Sequence, residues 1–398
     1  DKQYPSLATE PYAGPVALPA GATHVSAVAV GDNGLVSRLT EADFLIVGVV
    51  EEVTLQDSAF ESYIRDLLSI PAPTKLMTSD LWNVGELAVP EDVADYADLA
   101  YFLHLKSLTI QGSSVESYAF LASLTELETL SITDSLISAE TLGYIGALPK
   151  LTSLTLSGCG LSNIQPLADA AAITTLDLSD NSISDITALA SFTGLTQANL
   201  DRNAVKSLEP LRGLTGLVEL HAAENDLTSV DPLSGCKQLS ILDISSNAVT
   251  SIAPLAPMRE LKELSAGGNA LTDASGLAGC IALERLDLSN NQLTNVDAVK
   301  NLSALTHLDF SHNSVAEIPN LSGAANLQQF YASYNSELAD ISSLAGLDAL
   351  NYVDVDYTAV EDIECLKTCL NLVQVNAFGS KVTSAKELTD LGVIVRYD

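Results

Sequence analysis

The chain repeats a pattern of about 22 residues from Leu105 almost to its C-terminus. The pattern reads L-x-x-L-x-L-x-x-N-x-L, and its first position is held by Leu105, Leu127, Leu151, Ile173, Leu195, Leu217, Leu239, Leu261, Leu283, Leu305, Leu327, Leu350 and Leu372. Successive first positions are 22 residues apart except from 127 to 151 and from 327 to 350, where the repeat is longer. Small insertions of this kind belong on the convex side or at a turn. A fixed short period is typical of a solenoid, in which each repeat packs on its neighbours.

Each repeat contains a short strand, because apolar residues two apart, such as Leu176 and Leu178, point to one face of extended chain. The strands are therefore expected to form one parallel sheet. The ninth position is asparagine in eight successive repeats, at Asn181, Asn203, Asn225, Asn247, Asn269, Asn291, Asn313 and Asn335. An amide both donates and accepts hydrogen bonds, so this column is interpreted as structural support for neighbouring turns.

The second half of each repeat returns through a compact segment. Apolar residues three apart, as at Ile183, Ile186 and Leu189, indicate a short 3₁₀ helix. Proline recurs in this segment, where a missing N–H is harmless at a first helical position; the four are Pro166, Pro210, Pro232 and Pro254. The predicted fold is an α/β repeat solenoid, a curved array with a parallel sheet on its concave face and 3₁₀ helices and turns on its convex face.

At these residues the chain resembles the 22-residue leucine-rich repeats of bacterial internalin-like proteins, over roughly 57–398. The segment 53–68 is similar to the short amphipathic helix that precedes such repeats in many secreted bacterial members. The resemblance implies a helical cap, with Asp57 as N-cap, whose apolar side covers the open end of the core through Phe60, Ile64 and Leu67 or Leu68. Members of this family bind unrelated partners, so the resemblance implies a fold more than a ligand.

Three segments are predicted. Residues 1–56 form a linker and a small β element, with a hairpin of 24–30 and 35–39 around a turn at 31–34 and a further strand at 44–55. Residues 57–104 form the helical cap and an irregular first repeat. Its strand holds Val84, Leu87 and Val89, and its return holds Leu99 and Phe102. Residues 105–398 form the leucine-rich repeat domain, closed by a capping strand within 392–397.

The chain is strongly acidic, with 51 Asp and Glu against 18 Lys and Arg and a net charge of −33. This balance argues against nucleic acid and anionic membranes as partners, and solubility is its simplest explanation. No apolar run reaches the roughly 18 to 20 residues that span a bilayer. The first residue is Asp1 rather than Met, which fits removal of a signal peptide or a shortened chain.

Motifs for chemistry are missing: we find no G-x-x-x-x-G-K, H-E-x-x-H, C-x-x-C or G-x-S-x-G. An enzyme and a cofactor are therefore not expected. His307 and Asp309 share one strand face, but two such residues are common by chance and no metal site is predicted. Four of the five cysteines occupy inward positions and are interpreted as small core residues; they are Cys159, Cys236, Cys280 and Cys369. Unpaired thiols weaken the case for an oxidising compartment, although an anaerobic environment tolerates them.

Function must then lie on the concave face, at repeat positions three, five and seven. These positions carry Asp177, Asp201, Glu219, Asp243, Glu263, Asp287, Asp309, Asp354 and Asp356. Arg285 is the one fixed positive charge among them, so the face should attract cations. Adjacent Asp287 and Asp309 would raise each other's proton affinity or hold a cation. Alternatively, Asp after an inward Leu is a habit of this repeat type, and the charge merely keeps the sheet soluble.

Aromatic residues concentrate near the C-terminal end of this face. Tyr331, Tyr352 and Phe378 occupy concave positions in three consecutive repeats, and Tyr334 and Tyr357 follow at position eight. Such rings suit a protein-binding hot spot, carbohydrate stacking or contact with a Lys- or Arg-bearing peptide. They equally suit a shield for the end of the solenoid.

The preferred interpretation is a non-enzymatic recognition module, secreted or on the bacterial cell surface, that binds a protein with a basic surface. The partner-binding residues are predicted to be Asp243, Arg285, Asp287, His307, Asp309, Tyr331, Tyr334, Tyr352, Asp354, Tyr357 and Phe378. The alternatives are a carbohydrate- or cell-wall-binding protein and an intracellular leucine-rich repeat scaffold.

Overall fold

The structure is a computed structural model that describes residues 21–30, 35, 37–46, 50–113, 115 and 117–398. The chain divides into two compact units, Asp1–Val84 and Gly85–Asp398. The predicted Pro- and Ala-rich linker and the predicted hairpin turn at 31–34 lie outside the described residues. Within the described ranges, no helix is long and apolar enough to cross a bilayer.

The first unit contains two small antiparallel pairs. Strand β1 (Gly21–Ala27) pairs with β2 (Thr40–Ile46), and β3 (Glu52–Val53) pairs with β4 (Leu76–Met77). The hairpin exists, but its second strand lies beyond the predicted 35–39. A backbone hydrogen bond from Ser37 N to Ala29 O extends the pairing toward the turn. Of the strand predicted for 44–55, residues 44–46 belong to β2 and Glu52–Val53 forms β3, residues 50 and 51 lie outside any strand, and 47–49 lie outside the described residues.

Helix α1 (Ser58–Leu68) begins where the sequence predicts. The carboxylate of Asp57 accepts hydrogen bonds from the backbone N–H groups of Ala59 and Phe60, which caps the first turn. Phe60 and Ile64 are buried, whereas Leu67 is exposed and Leu68 is intermediate. A second, one-turn helix, α2, spans Thr78–Leu81.

The second unit is built on one 15-stranded parallel sheet, in which each strand except the first and the last pairs with the strands before and after it in the chain. The strands are β5 (Glu86–Ala88), β6 (Ser107–Gln111), β7 (Thr129–Thr133), β8 (Ser153–Thr155), β9 (Thr175–Asp177), β10 (Gln197–Asn199), β11 (Glu219–His221), β12 (Ile241–Asp243), β13 (Glu263–Ser265), β14 (Arg285–Asp287), β15 (His307–Asp309), β16 (Gln329–Tyr331), β17 (Tyr352–Asp354), β18 (Gln374–Asn376) and β19 (Ile394–Arg396).

The thirteen predicted repeats supply β6 to β18, while β5 and β19 add the irregular first strand and the capping strand. Pairing follows the repeat without slippage: Leu286 stands opposite Leu308, and Arg285 opposite His307. In the three-residue strands the middle residue is packed inward and the outer two point to the concave face. This alternation confirms the predicted solenoid.

The return segments are mainly 3₁₀ helices, as predicted. They span Ala97–Tyr101, Ala119–Ser123, Gln165–Leu167, Thr187–Ser191, Glu209–Leu211, Asp231–Gly235, Ala253–Leu255, Ser275–Gly279, Asp297–Asn301, Ser342–Leu344 and Glu364–Thr368. The four recurring prolines all stand in the first turn of such a helix. The 24-residue repeat uses its extra length for an α-helix, α3 (Ala139–Gly146), and α4 (Lys386–Asp390) precedes β19.

The asparagine column links successive repeats through hydrogen bonds. In Asn291, for example, Nδ2 donates to the carbonyls of Ala266 and Leu288, and Oδ1 accepts from the N–H of Leu271. The same arrangement recurs along the column, so each amide satisfies backbone groups that have no partner in the sheet. These hydrogen bonds account for the asparagine column as structural support for neighbouring turns.

All five cysteines are free, and each thiol faces a backbone carbonyl. Sγ of Cys159 lies 3.2 Å from Ile132 O, and Sγ of Cys369 lies 3.2 Å from Leu344 O. Burial raises the pKa of the Cys159 and Cys280 thiols to about 11 and that of Cys365 to about 12. The thiolate is the reactive form, so these groups are packing residues.

We therefore expect the folded protein to resist thiol reagents. At pH 8, 5,5′-dithiobis(2-nitrobenzoic acid) should modify less than one thiol per chain within an hour, and all five should react in 6 M guanidinium chloride. Absorbance at 412 nm follows the reaction. Rapid modification of two or more thiols in the native protein would contradict the burial described above.

Candidate protein-binding face

Register places seven of the eleven predicted site residues in two columns on the concave face. The first strand position carries Arg285, His307, Gln329 and Tyr352 on successive strands, and the third carries Asp287, Asp309, Tyr331 and Asp354. Neighbours within a column are about 4.8 Å apart, the spacing of paired strands. The predicted residue Asp243, on β12, lies two strands before Asp287 and outside this group.

A shallow depression of about 280 Å³ lies between β13 and β16. Its polar walls are formed by Glu263, Ser265, Arg285, Asp287, His307, Asp309, Gln329 and Tyr331. Five of the eleven predicted partner-binding residues therefore line one concavity. It combines one guanidinium with three carboxylates, which suits a ligand that carries both charges or a predominantly cationic one.

Arg285 rests against the imidazole of His307. Its Nη1 lies 3.2 Å from both ring nitrogens, which places the guanidinium over the ring. The Thr306 hydroxyl donates to Glu284 O, so its oxygen accepts from Nδ1–H of His307 at 2.9 Å. Burial and then the charge of Arg285 lower the pKa of His307. The imidazole is thus neutral at pH 7, and Arg285 is the positive charge of the depression.

The aspartates of the third strand position are fixed by their own turns. Oδ1 of Asp309 accepts hydrogen bonds from the backbone N–H and the hydroxyl of Ser311, at 2.8 and 2.7 Å. Asp243 binds Ser245 in the same way, and Asp287 accepts from the N–H of Ser289. The recurrence of Asp after an inward Leu therefore has a structural cause, since one carboxylate oxygen accepts the backbone N–H two residues later, where the chain leaves the strand.

Burial raises the pKa of two of these carboxyl groups. For Asp309 the nearby charge of Asp287 adds to the effect of burial, and for Asp354 the charges of Asp356 and Asp309 add to it. A raised pKa means that the folded protein holds these groups ionised at a free-energy cost. A bound cation would offset this cost, so the face is suited to binding positive charge.

The predicted aromatic residues separate into two groups. Tyr331 and Tyr352 lie on adjacent strands, half-buried, with ring centroids 5.1 Å apart. Tyr331 donates to Oε1 of Gln329, and Asn376 donates to the Tyr352 hydroxyl at 2.7 Å. We call these two residues the strand tyrosines. They lie next to Asp309 and Asp354 in the register.

The second group lies where the chain leaves the strands. The rings of His312 and Tyr334 stack with centroids 4.1 Å apart, and those of Tyr334 and Tyr357 stack at 4.5 Å. Phe378 meets Tyr357 edge to face at 5.7 Å. We call these four residues the aromatic edge. The structure thus groups Phe378 with Tyr357 and not with the strand tyrosines.

Two residues were missed by the sequence reasoning. His312 belongs to the aromatic edge, and its position eight, shared with Tyr334 and Tyr357, could have revealed it. Arg396 stands opposite Asn376 in the register of β19 and adds a second positive charge to the concave face. Continuing the strand column past the last full repeat would have found it. Among the described residues, no group of three or more His, Cys, Asp and Glu could hold a metal ion.

Comparison with known proteins agrees with the geometry. Residues 215–257 and 259–301 match the family described as Leucine Rich repeats (2 copies). None of the curated protein sequences matches the chain significantly. An internalin (InlF) from Listeria monocytogenes has a similar solved structure, with 26% identity and a TM-score of 0.73 over 80% of this chain and 94% of that chain.

Two further solved structures share the fold at lower identity. A leucine-rich repeat protein of Leptospira interrogans is 20% identical, with a TM-score of 0.68 over 78% of this chain and 81% of that chain. A plant peptide hormone receptor, RGFR1, in complex with RGF2 is 18% identical, with a TM-score of 0.59 over 74% of this chain and 54% of that chain. At these identities the likeness concerns the fold alone.

Proposed function

We propose that this chain, an internalin-like leucine-rich repeat protein, is a recognition module that binds a basic protein partner on its concave face and performs no chemistry. The observation that carries the proposal is the grouping of Asp309 and Asp354, whose pKa values are raised, with the strand tyrosines in one register. A few residues supply most of the binding energy in protein interfaces, and tyrosine is enriched among them. Carboxylates that are already ordered lose little entropy when they pair with Lys or Arg.

The charges indicate how the partner is oriented. In the acidic column from Asp287 to Asp354, Arg285 lies beside Asp287 on β14, and Arg396 lies on β19, two strands beyond Asp354. A complementary surface carries a basic centre flanked by neutral or acidic groups. Electrostatic attraction of this kind speeds association and is weakened by salt.

One observation favours carbohydrate as a second candidate. Side-chain amides surround the strand tyrosines: Gln329 accepts from Tyr331, and Gln374 donates to Asn376, which donates to Tyr352. Rings with adjacent amides also suit sugar hydroxyls. Binding that is insensitive to salt would favour this function over a basic protein.

We also propose that the protein acts outside the cell or on a bacterial cell surface. The likeness to an internalin from Listeria monocytogenes supports this location. The five free thiols are compatible with the alternative of an intracellular scaffold. Detection of the protein in culture medium or by surface labelling of intact cells would separate the two.

The test is a pull-down from host secretions and from the envelope of the producing organism, at low and high salt. The variant Tyr331→Ala/Tyr352→Ala should lose at least about tenfold in affinity for the captured partner. Its melting temperature should stay near that of the wild type. The control Thr129→Ala/Thr155→Ala alters the same sheet face on β7 and β8, outside the aromatic region, and should bind normally.

A partner that binds the double tyrosine variant unchanged would place recognition elsewhere and overturn the proposal. A lower melting temperature with unchanged affinity would instead identify the rings as packing for the end of the solenoid. Binding that persists at high salt, and that a glycan competes away, would support the carbohydrate candidate.

A further inference from the structure

The residue at position eight of every repeat has a left-handed backbone. These residues are Gly112, Asp134, Gly158, Asp180, Arg202, Glu224, Ser246, Gly268, Asn290, His312, Tyr334, Tyr357 and Gly379, with φ between 52° and 67°. The conformation is set by the fold, because the N–H of twelve of these residues donates to a carbonyl of the next repeat, as Tyr334 N does to Asp356 O, and that of Gly379 donates to the Asp398 carboxylate. We call these residues the turn column.

Aromatic residues are out of place in the turn column. Left-handed backbone crowds a Cβ against the following carbonyl, so it favours Gly, which has none, and polar residues such as Asn, Asp and His more than Tyr. Ten of the thirteen positions hold small or polar residues, whereas three consecutive positions hold His312, Tyr334 and Tyr357. Bulky side chains in unfavourable backbone conformations cluster at functional sites.

The rings of the aromatic edge contribute little to the core. Tyr334, Tyr357 and Phe378 are 46%, 42% and 49% exposed, whereas the nearby core aromatics Phe310 and Phe330 are fully buried. Burial therefore does not explain why aromatic residues stand here.

The stacking determines which part of each ring a ligand can reach. One face of Tyr334 is covered by His312 and the other by Tyr357. The second face of Tyr357 lies against Gly379, where an added Cβ would come within 2.7 Å of the ring. The accessible parts of these two tyrosines are ring edges and hydroxyl ends. Sugars and cations bind ring faces, so these two tyrosines are poorly suited to either.

Carboxylates border the aromatic edge. Asp356 accepts from the N–H of Phe378 at 2.6 Å, and Asp398 accepts from the N–H of Gly379 at 3.0 Å. The charges of both aspartates act on the Tyr357 hydroxyl. A surface of ring edges beside fixed negative charge is complementary to a segment that carries apolar and positively charged side chains.

We propose that the aromatic edge is a second contact line, distinct from the strand tyrosines, for a protein segment that mixes apolar residues with Lys or Arg. This inference rests on the proposed function and names the chemistry of its partner. The segment lies along the repeat axis across four repeats, its apolar side chains against the ring edges and its charges toward Asp356 and Asp398.

The test measures fluorescence anisotropy of three labelled 12-residue peptides with four copies of Lys-Leu-Ser, Lys-Ser-Ser or Glu-Leu-Ser. The wild type should bind Lys-Leu-Ser about tenfold more tightly than Lys-Ser-Ser and should not bind Glu-Leu-Ser. In Tyr334→Asn/Tyr357→Asn this preference for leucine should vanish, while weaker, salt-dependent binding of both lysine peptides remains. Asn290 shows that the turn column accepts asparagine.

The control Glu224→Asn/Ser246→Asn changes two polar residues of the same column and should keep the preference. A preference retained by the tyrosine variant overturns the inference but leaves the proposed function standing. Wild-type binding of a hexamer of N-acetylglucosamine that the tyrosine variant loses would overturn it in favour of carbohydrate. Failure of the wild type to bind either lysine peptide contradicts the inference and the proposed function together.

Discussion

Replacing Asn335 by alanine is expected to lower the free energy of unfolding by about 3 kcal/mol. The side chain is fully buried. Its Nδ2 donates to the carbonyls of Phe310 and Ala332 at 3.0 Å, and its Oδ1 accepts from the N–H of Val315 at 2.8 Å. Alanine leaves these backbone groups in the core without the amide. Unsatisfied buried groups cost more than a hydrogen bond gains, which is why the effect is large.

Urea unfolding followed by circular dichroism measures the change. Asn295→Ala is the matched control, because Asn295 is exposed and makes one long contact of 3.4 Å with the N–H of Asp297. It should change stability by less than about 0.5 kcal/mol. If Asn335→Ala were equally mild, water or a shift of the chain would be replacing the amide, and the column would not be essential to the stacking of repeats.

Asp309→Asn/Asp354→Asn is expected to have the opposite effect on stability and a large effect on binding. Asparagine keeps an oxygen for the turn, as Asn199 does when it accepts from the N–H of Asp201. Removing two carboxylates whose ionisation is disfavoured by burial should raise the melting temperature at pH 7 by on the order of 2 °C. Affinity for the basic partner captured in the pull-down should fall at least about tenfold at low salt.

The pH dependence tests the same point. Because the pKa values of Asp309 and Asp354 are raised in the folded state, the folded protein binds more protons than the unfolded chain, and stability falls as pH rises through the raised values. The wild type should therefore gain stability from these groups on acidification from pH 7 toward about pH 4, near the unfolded value. His307, whose pKa is lowered, opposes this gain as pH falls below about 6.5.

Melting temperatures of wild type and variant between pH 4 and pH 8 isolate the two aspartates, because His307 contributes to both proteins. The difference between the two curves should be largest at neutral pH and shrink as pH falls. Parallel curves would show that the two carboxyls titrate normally. A variant that is more stable but binds as tightly as the wild type would indicate that the charge serves solubility alone.

Much of the fold was predictable because its determinants are local. The alternation around Leu176 and Leu178 specifies a strand, the spacing of Ile183 and Ile186 specifies a 3₁₀ turn, and the period of 22 specifies how each turn meets the next. Asp57 was recognisable as a helix cap for the same reason. The hairpin of the first unit was harder, because the second strand is a short segment without alternation strong enough to fix its ends.

The site was only partly predictable. The sequence places Asp309, Tyr331 and Asp354 in one column, since equal positions in successive repeats must be neighbours. It does not show that Oδ1 of Asp309 accepts hydrogen bonds from Ser311. Nor does it show that the ring of Phe378 packs on Tyr357 and not on the strand tyrosines. Those relations depend on side-chain direction at the end of a strand, where the backbone turns left-handed and the repeat pattern no longer indicates a face.

The sequence by itself therefore determined the solenoid, the concave position of the acidic residues and the strand tyrosines, and the inward role of the asparagines and of four cysteines. These properties follow from a periodic pattern that can bury its apolar residues in one way only. The tertiary structure alone decided which neighbours share a hydrogen bond, which carboxylates are buried enough to resist ionisation, and which ring faces remain open. Each of these depends on distances of a few ångströms between repeats, which hydrophobic periodicity does not encode.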